Sequence, residues 1–202
     1  MIDPRIEALH EQLRQLPVAT VPPVAALRRA AVALVVRPDP EDLELLLIKR
    51  TVHPGDPWSG HMAFPGGRSD PEDPDAVATA IRETLEEVAV DLRATGTLLG
   101  ALDEVQPGTR ALQIVVSPFV FSVPAGTRAI PNHEVEATVW IPIRELLHPD
   151  AALEHLYEYG GGEPLRFPAL GYGGYVIWGL THRILLQFLS IAAPVGSAGR
   201  MG

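Results

Sequence analysis

The chain has 202 residues, 47% hydrophobic and 20% charged, with no cysteine and a formal net charge of −9. That suits one folded domain with a real core and excludes a disordered chain. The acidic balance argues against coating nucleic acid or an anionic membrane. The missing cysteines exclude a disulfide scaffold, Cys-ligated zinc, iron–sulfur clusters and a thiol nucleophile.

Met1 to Glu7 lacks the basic start and apolar run of a leader peptide. The most apolar late stretch, Tyr175 to Ala193, is broken by Thr181-His182-Arg183. The expectation is a cytoplasmic protein with no membrane span. Ile6, Leu9, Leu13 and Leu16 recur at helical spacing and predict a helix over 4–16. Pro17, Pro22 and Pro23 make a stiff connector. Residues 1–28 are expected to pack on a main domain of residues 29–192, with a flexible tail over 193–202.

Residues 29–37 and 43–49 read as paired strands around the turn Pro38 to Asp42. A polar loop from Thr51 to Gly60 then leads into Phe64-Pro65-Gly66-Gly67-Arg68. A helix follows over 74–90, with Val77, Ile81, Thr84 and Val88 as its core stripe. Asp73 is its expected N-cap and Pro74 its first helical residue. Strand-like runs cover 97–102, 112–123 and 135–141. The stretches Gly160-Gly161-Gly162 and Gly171-Tyr172-Gly173-Gly174 are too irregular for a P-loop and read as mobile connections. Residues 174–192 read as a closing helix. Strands mixed with two or three helices predict an α+β fold with a mixed sheet.

The chemistry concentrates on the helix over 74–90. Glu83, Glu86 and Glu87 stand at i, i+3 and i+4 and share one helix face, expected to point away from the core stripe. Their repulsion needs an offset, and a hard divalent cation such as Mg²⁺ supplies it through oxygen ligands. Arg82 is placed to pair with Glu83 or Glu86 and fix its rotamer. Gly66 and Gly67 let backbone come close to a bound phosphate or metal. Arg50, Lys49, His53 and His61 are within reach as phosphate ligands, and Trp58 as a stacking surface for a base. Residues 69–91 carry a net charge of −7, so most of the global −9 is this one cluster. An anionic diphosphate is compatible with it when a divalent metal comes too.

Gly67 followed by Arg82-Glu83-Thr84-Leu85-Glu86-Glu87-Val88-Ala89-Val90 resembles the Nudix box, G-x5-E-x7-R-E-U-x-E-E-x-G-U. The stretch from Gly67 to Arg82 is one residue longer than that pattern. Its first acidic position falls on Asp73 or Pro74, Thr84 replaces an aliphatic residue and Ala89 the late glycine. The resemblance implies an α/β/α sandwich and hydrolysis of nucleoside diphosphates linked to another group, with Mg²⁺ or Mn²⁺. It places the metal on Glu83, Glu86 and Glu87, with a backbone carbonyl ligand at Gly67. It makes Glu83, Arg82 and Glu134 the candidate catalytic residues, Arg82 by orienting a glutamate and either Glu83 or Glu134 as general base. Arg50, Gly66 and Arg68 are the candidate substrate contacts.

A narrower resemblance, to the coenzyme A diphosphatase-like branch, is carried by Leu46-Leu47-Ile48-Lys49-Arg50-Thr51, by Gly60-His61-Met62-Ala63-Phe64-Pro65-Gly66-Gly67, and by Ile177-Trp178-Gly179-Leu180-Thr181. Asp56 stands where that branch has a second arginine. The implied substrate is coenzyme A or an acyl derivative. The alternatives are ADP-ribose, a dinucleotide or a nucleoside triphosphate, or a Nudix-fold binding module without turnover. Homodimers occur in the family, and the sequence locates no interface.

Overall fold

A computed structural model describes residues 2–22, 24, 27–53, 59–107, 113–157 and 163–197. Asp56, Trp58, the Gly160-Gly161-Gly162 run and residues 198–202 lie outside that set.

Helix α1 (Pro4–Gln15) starts on Asp3, whose carboxylate accepts from the Arg5 amide. It buries Ile6, Leu9 and Leu13, as the spacing predicted, but not Leu16, which is its exposed C-cap. Strand β1 (Arg28–Pro38) pairs in parallel with β6 (Ile114–Ser122), from Arg28↔Ile114 to Val36↔Ser122. Strand β2 (Leu43–Arg50) pairs antiparallel with β7 (Val135–Pro142), and β5 (Thr97–Ala101) lies outside β6. The row is β7–β2–β1–β6–β5.

Successive strand residues face opposite sides. Ala30, Leu34 and Val36 therefore enter one core with α1, while Ala31, Ala33 and Val35 enter a second core under α2 (Ala76–Val88) that also takes Leu92 from the short α3 (Leu92–Thr95). This is why β1 and β2 read as continuous apolar runs: both faces are covered. The first core is closed by α4 (Ile143–Leu147) and α5 (Gly179–Ser197). It also takes Leu170 and Ile177 from a small antiparallel sheet of β8 (Ala152–Tyr157), β9 (Leu165–Tyr172) and β10 (Tyr175–Trp178).

One irregularity positions everything that follows. β1 and β2 pair only from Val36↔Leu45 to Pro38↔Leu43, then part. Two very short strands fill the gap. β3 (Met62–Ala63) pairs with β2, and β4 (Gly66–Arg68) pairs with β1 through Ala31↔Gly67 and Val32↔Gly66. The Pro65 carbonyl between them accepts from the Ala33 amide at 2.8 Å. This wedge lays Gly66 and Gly67 beneath α2.

Several expectations are corrected. α2 begins at Ala76 and its N-cap is Asp75, which accepts from the Ala78 amide. Asp73 is drawn elsewhere, as described below. Gly173 and Gly174, at φ 55° and 87°, form the turn of the β9–β10 hairpin and are not a loose connection. Tyr175 to Trp178 is a strand, so the closing helix starts at Gly179, and it continues to Ser197, into the expected tail.

The Pro-rich connector is held by two carboxylates, Asp103, which accepts from the Ala19 amide at 2.8 Å, and Glu104. Glu104 accepts from Arg29 Nη1 at 2.8 and 3.0 Å, from Ser117 Oγ at 2.7 Å and from the Val21 amide at 2.7 Å. Arg29 Nη2 closes the ring onto the Val21 carbonyl at 2.9 Å. Glu104→Ala strands these donors and is expected to lower stability by about 2 kcal/mol. A urea titration reads it, and a midpoint equal to that of the parent would show the strap to be dispensable.

Candidate active site

Arg82 is the hub of the site. A guanidinium carries five N–H donors, and all five are engaged. Nε donates to Asp73 Oδ1 at 3.1 Å, and Nη2 to Asp73 Oδ2 at 3.0 Å and to the Arg68 carbonyl at 3.1 Å. Nη1 donates to Glu83 Oε1 at 2.9 Å and to Glu86 Oε2 at 3.2 Å. The sequence offered Arg82 one glutamate or the other; it holds both, and its strongest partner is an aspartate outside the helix.

Asp73 is the residue that sequence reasoning misplaced. Its side chain, 8% exposed, also accepts from Thr79 Oγ1 and from the Asp70 amide, each at 2.9 Å. The Arg82 hydrogen bonds hold its carboxyl well below the usual aspartate range, and Asp73 raises the guanidinium in turn. The available signal was the extra residue between Gly67 and Arg82, which lets Asp73 fold back while Asp75 caps.

The three glutamates do not share one exposed face. At about 100° per residue, Glu87 stands about 40° from Glu83 on the Thr84 side, and Glu86 about 60° on the other. Their side chains grade accordingly: Glu86 is 55% exposed, Glu83 18% and Glu87, over the whole residue, 3%. Thr84 is fully buried and its hydroxyl donates to the Ala80 carbonyl at 2.7 Å, which accommodates a polar residue on the core stripe.

Glu87 is a buried carboxylate. Burial pushes it up to about 7. The Gly66 amide, donating to Oε2 at 2.8 Å, pulls it down, the charge of Glu83 pushes it up, Arg50 opposes and Glu134 adds to the rise. Burial also raises Glu83, against the pull of Arg82 and with the charges of Glu86 and Glu134 behind it.

Both glycines are required. Gly66 sits at φ 150°, and a Cβ there would collide with the Ala31 carbonyl oxygen and the Val32 Cα. A Cβ on Gly67 would lie 2.5 Å from the Glu83 carboxyl carbon. Two glutamates of α2 therefore rest directly on the β4 backbone.

The other candidates are placed as follows. Glu134 precedes β7 and is half-exposed, its amide donating to Asn132 Oδ1 at 2.8 Å. The segment before it is pinned to the end of α2 by Ile130 N–H to the Val88 carbonyl and Asn132 N–H to the Glu87 carbonyl, at 2.8 and 2.9 Å. That brings Glu134 within electrostatic reach of Glu83 and Glu87. Arg50 ends β2, with its amide donating to the His61 carbonyl at 3.0 Å. Arg68 is exposed. The Gly66 amide donates to Glu87 Oε2. Lys49 is engaged by Glu136 at 2.7 Å, His53 is exposed, and His61 packs edge-on to Trp178.

α2 ends on Ala89 at φ 54°, in the left-handed region. That conformation costs a residue bearing Cβ about 1–2 kcal/mol and glycine nothing comparable. Ala89→Gly is therefore expected to stabilise the protein by up to about 1 kcal/mol, read as a higher urea midpoint at unchanged slope. A lower midpoint would contradict the strained-cap reading.

Among the described residues, no three carboxylate or imidazole groups close into an all-protein metal cage. The donors present are carboxylate and backbone oxygens, and Glu87 among them is a buried carboxylate. That fits an ion of the Mg²⁺ type, which takes one or two carboxylates and fills its shell with water and phosphate oxygens. No helix among the described residues is long and apolar enough to cross a membrane.

The NUDIX domain family pattern matches residues 26–159. An uncharacterized Nudix hydrolase, NudL, of Yersinia pestis (strain Pestoides F) is 34% identical over 164 residues, 80% of this chain and 78% of that protein. An uncharacterized protein of Schizosaccharomyces pombe is 40% identical over 111 residues, 52% of this chain but only 34% of that relative's length. Among solved structures, the MutT/nudix family protein from Enterococcus faecalis aligns over 96% of this chain and 76% of its own at TM-score 0.57 and 14% identity, a likeness of fold. The mixed sheet between helices, the clamped Arg82-Glu83 to Glu86-Glu87 face and the family match agree: the chain belongs to the Nudix hydrolase family.

Proposed function

We propose that this chain is a divalent-metal-dependent hydrolase that cleaves the diphosphate linkage of coenzyme A or an acyl-coenzyme A-like nucleoside diphosphate derivative. The observation that carries the reading is the α2 carboxylate face laid on the Gly66–Gly67 backbone, with Glu83 and Glu86 held by one guanidinium. Glu83, Glu86 and Glu87, with the Gly67 carbonyl, would hold Mg²⁺ or Mn²⁺, and an ion bound there would supply neutralisation of phosphate charge and a lower pKa for the attacking water. Arg50 and Arg68 attract the diphosphate. Arg82 has no donor left for substrate and acts by fixing glutamate rotamers, while the Gly66 amide fixes Glu87.

Glu83 and Glu134 are the two groups placed to take the proton from water. Glu83 is bound by Arg82, whereas the Glu134 carboxylate is half-exposed beside His133, at 3.8 Å. Glu134→Gln separates them. A loss of kcat with unchanged Mg²⁺ dependence assigns the base to Glu134, and unchanged kcat assigns it to Glu83.

The coenzyme A assignment rests on the branch signature around residues 46–67 and 177–181. Asp56 in place of arginine favours a second reading, another nucleoside diphosphate derivative such as ADP-ribose or a dinucleotide. The test is incubation of the purified protein with Mg²⁺ and a panel of coenzyme A, ADP-ribose, diadenosine polyphosphates and nucleotides. Release of 4′-phosphopantetheine and adenosine 3′,5′-bisphosphate supports the first reading. Cleavage of ADP-ribose but not of coenzyme A supports the second. No turnover of any compound would leave a Nudix-fold binding module and overturn both.

A further inference from the structure

A second constellation of side chains has no part in the hydrolysis as described. Trp178 ends β10. Its indole lies 4.4 Å from the His155 ring, 4.9 Å from Tyr157 and 5.4 Å from Phe167, centroid to centroid, at tilts of 37° to 45°. His61, from the segment leading into β3, meets it edge-on at 4.8 Å and 65°. The strand register explains the gathering. His155 pairs with Phe167 across β8–β9, and Tyr157 and Trp178 fall on the same face by the two-residue alternation.

Three observations mark this as more than a small core. The chain has only 5 Phe, 3 Trp and 4 Tyr, yet one of each meets here together with two of its 7 histidines. None of the five rings is buried, although fully buried aromatics such as Phe121 and Phe188 exist elsewhere. Among the described residues of these strands the face is also uncharged: Glu154 and Arg166, which pair at 2.8 Å, belong to the alternate positions and the opposite face. A phosphate gains nothing there, whereas a neutral planar heterocycle does.

The cluster is continuous with the catalytic end of the sheet. His61 accepts from the Arg50 amide through its carbonyl, and Arg50 lies within electrostatic reach of Glu87. His61 also immediately precedes β3, whose chain continues through Pro65 to Gly66. Arg50 and His61 thus join a charged end suited to a diphosphate and a neutral aromatic end.

We infer that the His61, His155, Tyr157, Phe167 and Trp178 cluster is the subsite for the nucleobase of the substrate, binding it by stacking. The ligand's identity rests on the diphosphate-hydrolase reading, but the base preference is measured without turnover. Isothermal titration of the full chain with adenosine 5′-monophosphate and with ribose 5-phosphate compares the same phosphate with and without a base. Adenosine monophosphate is expected to bind about tenfold more tightly or better. Trp178→Leu is expected to erase that preference and, with any substrate the protein turns over, to raise KM more than it lowers kcat. Tyr157→Leu, outside the strand that carries Trp178, repeats the measurement should Trp178→Leu fail to fold.

Equal binding of the two probes overturns the inference, as does no binding of adenosine monophosphate at millimolar concentration. So does a preference untouched by the folded variants, or a cluster that serves as a self-interface, seen as a dimer dissociated by Tyr157→Leu with probe affinities unchanged. A base preference in a protein that cleaves nothing would uphold the subsite and overturn the hydrolase reading alone.

Discussion

Glu87→Gln is expected to lower turnover by about 100-fold or more while making the metal-free protein more stable at pH 8. The first effect follows from loss of an anionic oxygen donor in the proposed metal site. The second follows from burial. Glu87 is raised from the ordinary glutamate value of 4.5 to about 7, so folding favours its protonated form. Its contribution to stability is complete below the unfolded-state value and is lost as pH rises through about 7. The penalty above that is on the order of 3 kcal/mol. Glutamine keeps an oxygen for the Gly66 N–H and removes the charge. In chelator, the parent should therefore lose thermal stability between about pH 5 and pH 8 relative to Glu87→Gln. Added Mg²⁺ should narrow the gap at pH 8 by stabilising only the parent. Parallel stability curves for the two proteins would mean that Glu87 is not a destabilising buried charge.

Asp73→Ala is expected to be the next most damaging change, at about 10- to 100-fold in kcat, although Asp73 touches no reacting atom. It removes two of the five Arg82 contacts and the acceptor for Thr79 and Asp70. Asn restores little, because both aspartate oxygens receive N–H donors and an amide offers only one acceptor oxygen. Because the Asp73 carboxyl is depressed, its contribution is present above the unfolded aspartate value and is lost only as pH falls into strong acid. Asp75→Ala is the control. It removes the α2 cap, costing about 1 kcal/mol of stability, and should leave kcat near that of the parent. Steady-state kinetics on the two variants reads the difference. Equal kcat losses would reduce Asp73 to a general stabiliser of the helix.

What the sequence revealed and what it hid divide along physical lines. The strands over 28–38 and 43–50 were legible as long apolar runs around a turn, and the helices at 4–15 and 76–88 because they carry the helical period. The strands of two and three residues at 62–63 and 66–68 carry none. They exist because β1 and β2 part, and that is a non-local event. The cap was ambiguous because Asp73 and Asp75 are equally good capping residues, and only the pull of Arg82 decides between them. The burial of Glu87 was in principle readable, since a helical wheel already sets it toward Thr84. Its grouping with Glu83 and Glu86 as one exposed face came from counting spacing without the angle. Trp178 was one residue of the motif Ile177 to Thr181, and its four ring neighbours come from three separate chain segments that no local pattern joins.

The most direct measurement of the central claim is the rate of diphosphate cleavage against Mg²⁺ concentration for the parent, Glu86→Gln and Glu87→Gln. The account predicts no cleavage in chelator, a saturable rise with Mg²⁺ in the parent, and a loss of about 100-fold in each variant. Undiminished, equally metal-dependent cleavage in both variants would contradict the placement of the metal on the α2 carboxylates.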